Sequence, residues 1–333
     1  MLLRRSILEY PIARRRNTEQ ISIASVLDFS VGRGTQRLRE DLPEAFPYCL
    51  DVARGRAVYV TGIDPKAIQQ APFYYLYARR NARTIVSVPW AAGRLSNAAC
   101  AQAPVFLFSP GRVGSTLVSR ILSAAGIASV SEPDFYTQMT SQMGTSRFNP
   151  LRSRVQKAVA NLTRDLCAVL SRDCGPVIKL RAECCRAPQM FFDSTQPARA
   201  IFMVRDFASW LRSTGRNFRA GPRRAVRKYL QALQCYSYLS LHTDCHLIRY
   251  EDMVADAARA CRNLGAFLGR EISTGALTHA METDSQQDTP LEQGSRPDRP
   301  GRQAAFDETM RLWNSAKLVE LRRHLPLYEV GAD

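Results

Sequence analysis

The amino-acid sequence predicts an α/β protein, in which a parallel sheet is flanked by helices and preceded by a small N-terminal α+β region. Two observations support this fold class. After Pro104, short apolar strand-like segments alternate with longer segments of helical periodicity, which is typical of a parallel sheet covered by helices. Before about residue 100, short strand-like segments surround an aromatic segment instead. We therefore expect two regions, residues 1–100 and 101–333.

The N-terminal region contains two candidate strands. They are AVYVTGI (57–63) and RTIVSVPW (83–90), and the aromatic segment APFYYLYARRNA (71–82) lies between them. Apolar and aromatic residues at such spacing more often pack into a core than bind a ligand. We expect the aromatic side chains to form the core of this region.

The second region contains four candidate strands separated by amphipathic helices. The strands are APVFLF (103–108), GPVIKL (175–180), ARAIFMVRD (198–206) and CHLIRYED (245–252). Apolar residues at helical spacing predict a helix that stops at Gly126 and further helices over 152–171, 253–269 and about 304–325. The residues expected to face inward in the last helix are Met310, Trp313, Leu318 and Leu321.

Composition and charge exclude several classes of function. The chain has 333 residues, a formal net charge of +16 and no run of about eighteen apolar residues, so we expect no membrane span. Its basic N-terminus lacks the apolar segment of a secretory signal, which favours a cytoplasmic location. The arginines are scattered and accompany no nucleic-acid-binding signature, so we expect no specific nucleic-acid partner.

The nine cysteines do not form a repeating framework. Without an export signal they are expected to be reduced and mostly buried. The adjacent Cys184 and Cys185, and the cluster of His242, Cys245 and His246, lack the paired spacing of a structural zinc site. We therefore expect no metal site.

A glycine-rich loop, SPGRVGST (109–116), follows the strand at 103–108 and leads into a helix. Such a turn lets backbone N–H groups and the positive end of the helix dipole contact an anion. The candidate anion-binding residues are Gly111, Arg112, Val113, Gly114, Ser115 and Thr116. The loop lacks the GK[ST] lysine of ATPases and kinases, and Arg112 would bring a positive charge from another position. A purely structural turn is the alternative interpretation.

A second segment of similar character lies about ninety residues later. AIFMVRDFASWLRST (200–214) predicts a strand, then Arg205 and Asp206, then a helix that carries Ser213. Ser213 lies eight residues after Arg205, about two helical turns, so the two side chains can hold one phosphate from two sides. The alternative is a solvated arginine followed by an aspartate that caps the helix.

Together, the two segments resemble the sulfotransferase family that uses 3′-phosphoadenosine-5′-phosphosulfate (PAPS). SPGRVGST is similar to the family's 5′-phosphosulfate loop, VRDFASWLRS to its 3′-phosphate motif, and LIRYEDMVADAARACRNLGAFLG (247–269) to its later strand–helix pattern. The resemblance covers about residues 103–325. It implies a P-loop-type fold and transfer of the sulfuryl group of PAPS to an acceptor hydroxyl, with 3′,5′-bisphosphoadenosine as product and no required metal.

The resemblance also assigns roles to the nucleotide-binding residues. The backbone from Gly111 to Thr116 would hold the 5′-phosphate, and Arg112 would stabilise the departing nucleotide. Arg205 and Ser213 would hold the 3′-phosphate. Sulfuryl transfer depends mainly on positioning and on neutralising the charge that develops, and these groups would supply both.

The candidate catalytic base differs from the residue that one branch of the family uses. Cytosolic small-molecule sulfotransferases typically use a histidine between the two phosphate motifs, whereas the histidines of this chain all follow the second motif. Glu132, in SVSEPDFY (129–136), instead resembles the glutamate base of the protein-tyrosine and bacterial glycolipid enzymes. A partly desolvated cleft would suit such a base. The alternative is a surface glutamate that caps the next element.

Lys179 is the second catalytic candidate. It lies near the end of the strand-like segment GPVIKL (175–180), where open α/β sheets bind ligands, and it resembles a lysine near the transferring sulfate in the tyrosine-sulfating enzymes. Arg181 is the alternative cation. By the same resemblance, late nucleotide contacts would come from the loop that carries Arg296, Arg299 and Arg302, and the alternative is a solvated flexible loop without such contacts.

Two other function classes compete with this interpretation. One is a P-loop nucleotide kinase or hydrolase, which would need Mg²⁺ and show no preference for a ribose 3′-phosphate. The other is a non-catalytic protein that binds anions or nucleic acid. The acceptor would be a hydroxyl of a small molecule, a glycan or a peptide, and residues 1–100 would form a lid or select that acceptor. The sequence does not predict the oligomeric state.

Overall fold

Two β-sheets organise the chain in a computed structural model. It describes residues 7–32, 37–38, 44–90, 103–143, 152–170, 175–192, 199–217, 221–275, 278, 280, 301–325 and 327. By contacts within the chain, these residues divide into two compact units. One comprises Met1–Val105 with Gly126–Leu180, and the other comprises Phe106–Ala125 with Arg181–Asp333.

The first sheet has six antiparallel strands and lies in the N-terminal region. The strands are β1 Leu8–Arg15, β2 Phe29–Val31, β3 Arg37–Leu38, β4 Phe46–Asp51, β5 Arg56–Thr61 and β6 Thr84–Pro89. Their order is β2-β1-β6-β5-β4, and β3 pairs with β1. The central residues of β4 and β5 are buried on both faces, which is why these segments read as nearly continuous apolar runs. The two strands predicted in this region are confirmed as β5 and β6.

Two helices accompany this sheet, α1 Pro65–Gln70 and α2 Tyr74–Asn81. Asp64 caps α1, because its carboxylate accepts hydrogen bonds from the backbone N–H groups of Lys66 and Ala67. In α2, Tyr74, Tyr75 and Leu76 are buried. The prediction that the aromatic segment forms core is therefore confirmed.

The second sheet has five strands. They are β7 Val105–Phe108, β8 Ser129–Ser131, β9 Val177–Lys179, β10 Arg199–Val204 and β11 Asp244–Arg249, in the order β11-β10-β7-β9-β8. The described pairings of β10 with β7 and β11, and of β8 with β9, are parallel. In this register Val204 lies opposite Arg249, so the residues that follow β10 and β11 emerge side by side. The predicted α/β class with a parallel sheet is confirmed.

The other described α-helices follow. They are α3 Ser115–Ala124, α4 Asp134–Met143, α5 Arg152–Leu170, α6 Phe207–Asn217, α7 Pro222–His242, α8 Tyr250–Ala255, α9 Ala257–Leu268, α10 Arg302–Trp313 and α11 Ala316–Arg322. Of these, α7, α8 and α9 contact β11 of the second sheet, whereas α4 and α5 contact β4 of the first sheet. Short 3₁₀ helices lie at Val26–Asp28, Ala182–Arg186 and Pro188–Met190. The predicted stop of α3 is confirmed, because Gly126 has a φ of 71°, which suits glycine.

Two sequence predictions of element bounds were wrong. The strand predicted over 245–252 ends at Arg249, because Tyr250 already begins α8. The single helix predicted over 253–269 is broken at Asp256, whose backbone is non-helical and whose carboxylate accepts a hydrogen bond of 2.9 Å from the Arg259 N–H. This aspartate starts a new helix instead of continuing the old one.

The last predicted helix is also divided. α10 ends at Trp313 and α11 begins at Ala316, after Ser315 in an extended conformation. The turn changes the face that points inward. Trp313 is buried as predicted, but Leu321 is 51% exposed, so its predicted inward orientation was wrong.

Candidate functional site

The glycine-rich loop occupies the turn between β7 and α3. Gly111, Arg112 and Gly114 all have positive φ, at 76°, 60° and 89°. The Gly111 N–H donates to the Ser109 hydroxyl at 3.3 Å, and the Val113 side chain is fully buried. The loop is thus anchored by its ends and by Val113, while its backbone turns into the start of α3. The first N–H groups of a helix have no acceptor within the helix and are suited to an anion.

Ser115 and Thr116 form the first turn of α3, and both are buried. Buried hydroxyl groups at a helix N-terminus can add hydrogen bonds to those of the backbone. The structure therefore brings all six predicted loop residues into one turn, with a cation, two hydroxyl groups and a helix N-terminus.

Gly114 is required by space as well as by conformation. A Cβ atom at this position would lie 2.9 Å from Cδ2 of Tyr250 and 3.2 Å from Cε of Met203. Real Cβ atoms essentially never come as close as 2.9 Å to another heavy atom, so the loop approaches Tyr250 this closely only because residue 114 has no side chain. This contact places the loop against the residues that follow β10 and β11.

Tyr250 also contacts the second predicted motif. The guanidinium carbon of Arg205 lies 4.2 Å from the centre of the Tyr250 ring, in a cation–π arrangement. Arg205 Nε is buried and has no hydrogen-bond partner among the described residues. A buried donor without an acceptor is costly, and such groups often mark a ligand site. Gly114, Tyr250 and Arg205 thus form a continuous contact that joins the two motifs.

Asp206 caps α6, as the alternative interpretation of the second motif predicted. Its carboxylate accepts a hydrogen bond of 2.8 Å from the Ser209 N–H, and its own N–H donates to Glu251 Oε1 at 3.2 Å. Burial opposes the ionisation of Asp206, but the hydrogen bonds from Ser209 outweigh it and lower the pKa of this carboxyl. Partial desolvation raises the pKa of Glu251. The cap fixes the direction in which the chain leaves Arg205.

Helix α6 carries Ser213 and two further residues of interest. Ser213 is partly buried, and the hydroxyl of the adjacent Thr214 is buried without a hydrogen-bond partner among the described residues. Trp210 is fully buried, and its Nε1–H donates to the Gly111 carbonyl at 2.8 Å. This hydrogen bond is a second direct link between the two motifs.

Sequence reasoning assigned no role to Trp210, Thr214 or Tyr250. The tyrosine–glutamate pair after β11 was visible as part of the later strand–helix pattern, but its contact with Arg205 depends on strand order. No sequence signal identified Trp210, because a tryptophan on an amphipathic helix is usually a core residue.

The other two catalytic candidates, Glu132 and Lys179, lie together in the other compact unit. Lys179 Nζ donates to Glu132 Oε1 at 2.6 Å, and the Glu132 N–H donates to the Lys179 carbonyl at 2.7 Å. Ser131 pairs with Lys179 in the parallel register of β8 and β9, so both residues stand at the carboxyl ends of their strands. The side chain of Lys179 is 3% exposed and that of Glu132 is 14% exposed. The ion pair is therefore largely desolvated, with the carboxylate as its more accessible member.

The backbone at Glu132 is unusual. Its φ is 63°, a conformation that non-glycine residues rarely adopt and that commonly occurs at functional sites. Neighbouring contacts hold it there. The carboxylate of Asp134, two residues on, accepts hydrogen bonds from the Ala24 N–H at 2.8 Å and from the Thr137 hydroxyl at 3.2 Å. The start of α4 is thereby tied to the N-terminal region.

The structure describes only some of the remaining candidate residues. Arg181 precedes the 3₁₀ helix Ala182–Arg186. Arg302 is the first residue of α10 and donates to the Arg212 carbonyl at 3.3 Å, whereas Arg296, Arg299 and His279 lie outside the described residues.

The described cysteines are free thiols, and six of the seven are buried. Within the described ranges, no group of three or more His, Cys, Asp or Glu side chains could hold a metal ion, and no helix is long and apolar enough to cross a membrane.

Comparisons with known proteins give similarity at the level of structure. No known protein-family profile matches the chain, and no curated protein does. The mouse sulfotransferase SULT7A1, solved with PAP, is 14% identical, with a TM-score of 0.36 over 67% of this chain and 89% of that chain. A sulfotransferase domain from the curacin biosynthetic pathway is 19% identical, with a TM-score of 0.42 over 64% of this chain and 91% of that chain.

A third similar structure is sulfotransferase STF9 from Mycobacterium avium. It is 10% identical, with a TM-score of 0.34 over 64% of this chain and 77% of that chain. Similarities this distant do not assign an activity, which has to be argued from the residues of the chain itself.

Proposed function

We propose that this protein is a PAPS-dependent sulfotransferase that acts on a hydroxyl-bearing acceptor. The observation that carries the proposal is the continuous contact from Gly114 through Tyr250 to Arg205. It joins a helix N-terminus suited to one phosphate to a partly buried arginine, with a buried Nε–H, suited to another. A nucleotide with phosphates at both the 5′ and 3′ positions matches two such sites, and the sequence resemblance names the same ligand.

The residues present fit this ligand. Arg205 has a buried Nε–H that finds no acceptor among the described residues and would donate to the 3′-phosphate. Ser213 would add a hydroxyl from α6. The loop backbone, with Ser115 and Thr116, would donate to the 5′-phosphate, and Arg112 would neutralise the negative charge that grows on that phosphate. PAPS, when bound, supplies the sulfuryl group and leaves as 3′,5′-bisphosphoadenosine.

Glu132 is the proposed general base. Its carboxylate would accept the proton of the acceptor hydroxyl, a step that requires hydrogen-bond reach and a charged, partly accessible oxygen. The ion pair with Lys179 holds the carboxylate in one orientation and places a cation beside it. Lys179 would also stabilise negative charge on the group that is transferred.

The N-terminal region is proposed to select the acceptor. Phe73, in the aromatic segment, has its ring centre 5.9 Å from Lys179 Nζ. An aromatic side chain beside the catalytic pair would exclude acceptors of unsuitable shape. A Phe73→Leu variant is expected to change the KM for acceptors and their ranking while leaving nucleotide affinity unchanged, and an unchanged ranking would contradict this role.

Thermal unfolding with three nucleotides tests the proposed activity. We expect 3′,5′-bisphosphoadenosine to stabilise the protein without metal, and to do so more than ADP or ATP with Mg²⁺. At one hundred times its dissociation constant, a ligand adds about 2.7 kcal/mol, which is readily detected. Stabilisation by ATP and Mg²⁺ alone would indicate a kinase or hydrolase, and no stabilisation at all would indicate a non-catalytic protein.

A pair of arginine variants makes the test specific. Arg205→Met should abolish the preference for the 3′-phosphorylated nucleotide. Arg199→Met is the matched control, because Arg199 begins the same strand and contacts Phe267 instead of Tyr250. If both variants retain the preference, Arg205 does not bind the 3′-phosphate.

A further inference from the structure

The hydrogen bond from Trp210 to the glycine-rich loop sets the orientation of one peptide unit of that loop. The Trp210 Nε1–H donates to the carbonyl of Gly111 at 2.8 Å. That carbonyl belongs to the same planar trans peptide unit as the N–H of Arg112, and in such a unit the C=O and N–H bonds point in opposite directions. Holding the carbonyl toward Trp210 therefore directs the Arg112 N–H away from it.

Trp210 is itself held rigidly. Its side chain is fully buried, and its ring lies 5.7 Å from that of Phe207 and 5.0 Å from that of Tyr229, with Trp313 stacked on Phe207 at 4.0 Å. We call these four residues the aromatic cluster. The Tyr229 hydroxyl of the same cluster donates to the Arg205 carbonyl. One packed group therefore contacts the backbone of both anion-binding motifs.

The loop needs such an external support. Gly111 and Arg112 are consecutive residues with positive φ, and the arginine pays a conformational penalty of roughly 1 kcal/mol or more for it. A peptide next to glycine can also rotate with little steric resistance. Without a hydrogen-bond donor that holds its carbonyl, the Gly111–Arg112 peptide would populate orientations in which this carbonyl faces the anion.

We propose that Trp210 is a positioning residue for the 5′-phosphate, acting through the orientation of the Gly111–Arg112 peptide. The inference rests on the proposed function, since it assumes that the loop holds a 5′-phosphate. Trp210 does not touch the nucleotide in this arrangement. Its role is to present one backbone N–H to the phosphate and to keep the carbonyl of that peptide away from it.

The test compares three nucleotides that differ in their phosphates. They are 3′,5′-bisphosphoadenosine, adenosine 5′-phosphate and adenosine 3′-phosphate, measured by calorimetry with wild type and Trp210→Phe. We expect the variant to bind the two nucleotides with a 5′-phosphate about tenfold more weakly, as for the loss of one oriented hydrogen bond to a charged group. Affinity for adenosine 3′-phosphate should be unchanged. Equal weakening for all three would show that Trp210 has only a structural role.

Trp313→Phe is the matched control. It removes the same ring volume from the same aromatic cluster, but the Trp313 Nε1 atom has no hydrogen-bond partner among the described residues. It should lower the melting temperature without a selective loss of 5′-phosphate affinity, and a selective loss like that of Trp210→Phe would overturn the proposal. If Trp210→Phe does not fold, replacing Trp210 with benzothienylalanine removes the N–H and keeps the shape.

The outcomes separate this inference from the function on which it rests. If wild type binds none of the three nucleotides, the proposed function fails. If wild type binds 3′,5′-bisphosphoadenosine most tightly and the Trp210 variant shows no selective loss, the function stands and the positioning role is wrong.

Discussion

Replacing Gly114 with alanine should lower the stability of the fold and disturb the proposed nucleotide site. The residue has a φ of 89°, and a Cβ atom would lie 2.9 Å and 3.0 Å from two ring carbons of Tyr250. Two costs add. An L-residue forced into the left-handed region loses about 1–2 kcal/mol, and overpacking of a buried site costs about 1–3 kcal/mol. We expect the free energy of unfolding to fall by about 2–5 kcal/mol, a large part of the 5–15 kcal/mol typical of a domain.

The same chain provides a control that isolates the steric part. Gly126, at the other end of α3, has a φ of 71°, but a Cβ atom there would meet nothing within 4 Å. Gly126→Ala should therefore show the backbone cost alone, about 1–2 kcal/mol. Both variants are measured by urea unfolding monitored by circular dichroism. The slopes of the free energy of unfolding against urea concentration should agree between the variants, so that differences in midpoint report differences in stability.

Nucleotide binding distinguishes the two glycines further. The Tyr250 ring can escape the new methyl group only by moving, and its movement would displace the guanidinium of Arg205 that lies on it. Gly114→Ala should therefore weaken binding of 3′,5′-bisphosphoadenosine, whereas Gly126→Ala should not. Equal stability losses in the two variants, or unchanged nucleotide affinity in Gly114→Ala, would refute the reasoning that Tyr250 joins the two motifs.

Three further variants test other parts of the molecule. Glu132→Gln should lower turnover by at least 10²-fold with nucleotide affinity nearly intact, since it removes the proposed base but keeps the side-chain shape; full activity would exclude Glu132. Arg79→Met should cost about 3–5 kcal/mol in urea unfolding, because it leaves the carboxylate of Asp28, 3.1 Å away and buried, without its cation; a loss below about 1 kcal/mol would contradict this. Burial lowers the pKa of His246, so the unfolded chain binds its proton at higher pH than the folded chain does, and stability should fall as pH drops below about 6.5. His246→Gln should flatten that slope, and an identical slope in both proteins would be the contrary result.

Much of the candidate site could be predicted from local sequence. Glycine spacing, hydroxyl residues and an arginine at the end of a strand depend on short-range geometry, and the structure places Gly111–Thr116 and Arg205 at the turns where the sequence suggests them. The aspartate cap at Asp206 is equally local. The bounds of α8 and α9 were mispredicted because the apolar residues recur at helical spacing on both sides of Asp256. Asp256 nevertheless caps a new helix, and the spacing of apolar residues carries no information about such a cap.

The sequence by itself determined the α/β class, the positions of the two proposed anion-binding motifs and the aromatic character of the N-terminal core, because these depend on periodicity and on residue types close together in the chain. The tertiary structure decided which distant residues meet. Tyr250 reaches Arg205 and Gly114 because β10 pairs with β11 in register, and Trp210 reaches the Gly111 carbonyl because α6 packs beside the loop. Lys179 meets Glu132 because β8 and β9 are parallel neighbours. Such meetings follow from strand order and packing, which bring together residues far apart in the chain and leave no periodic signal in it.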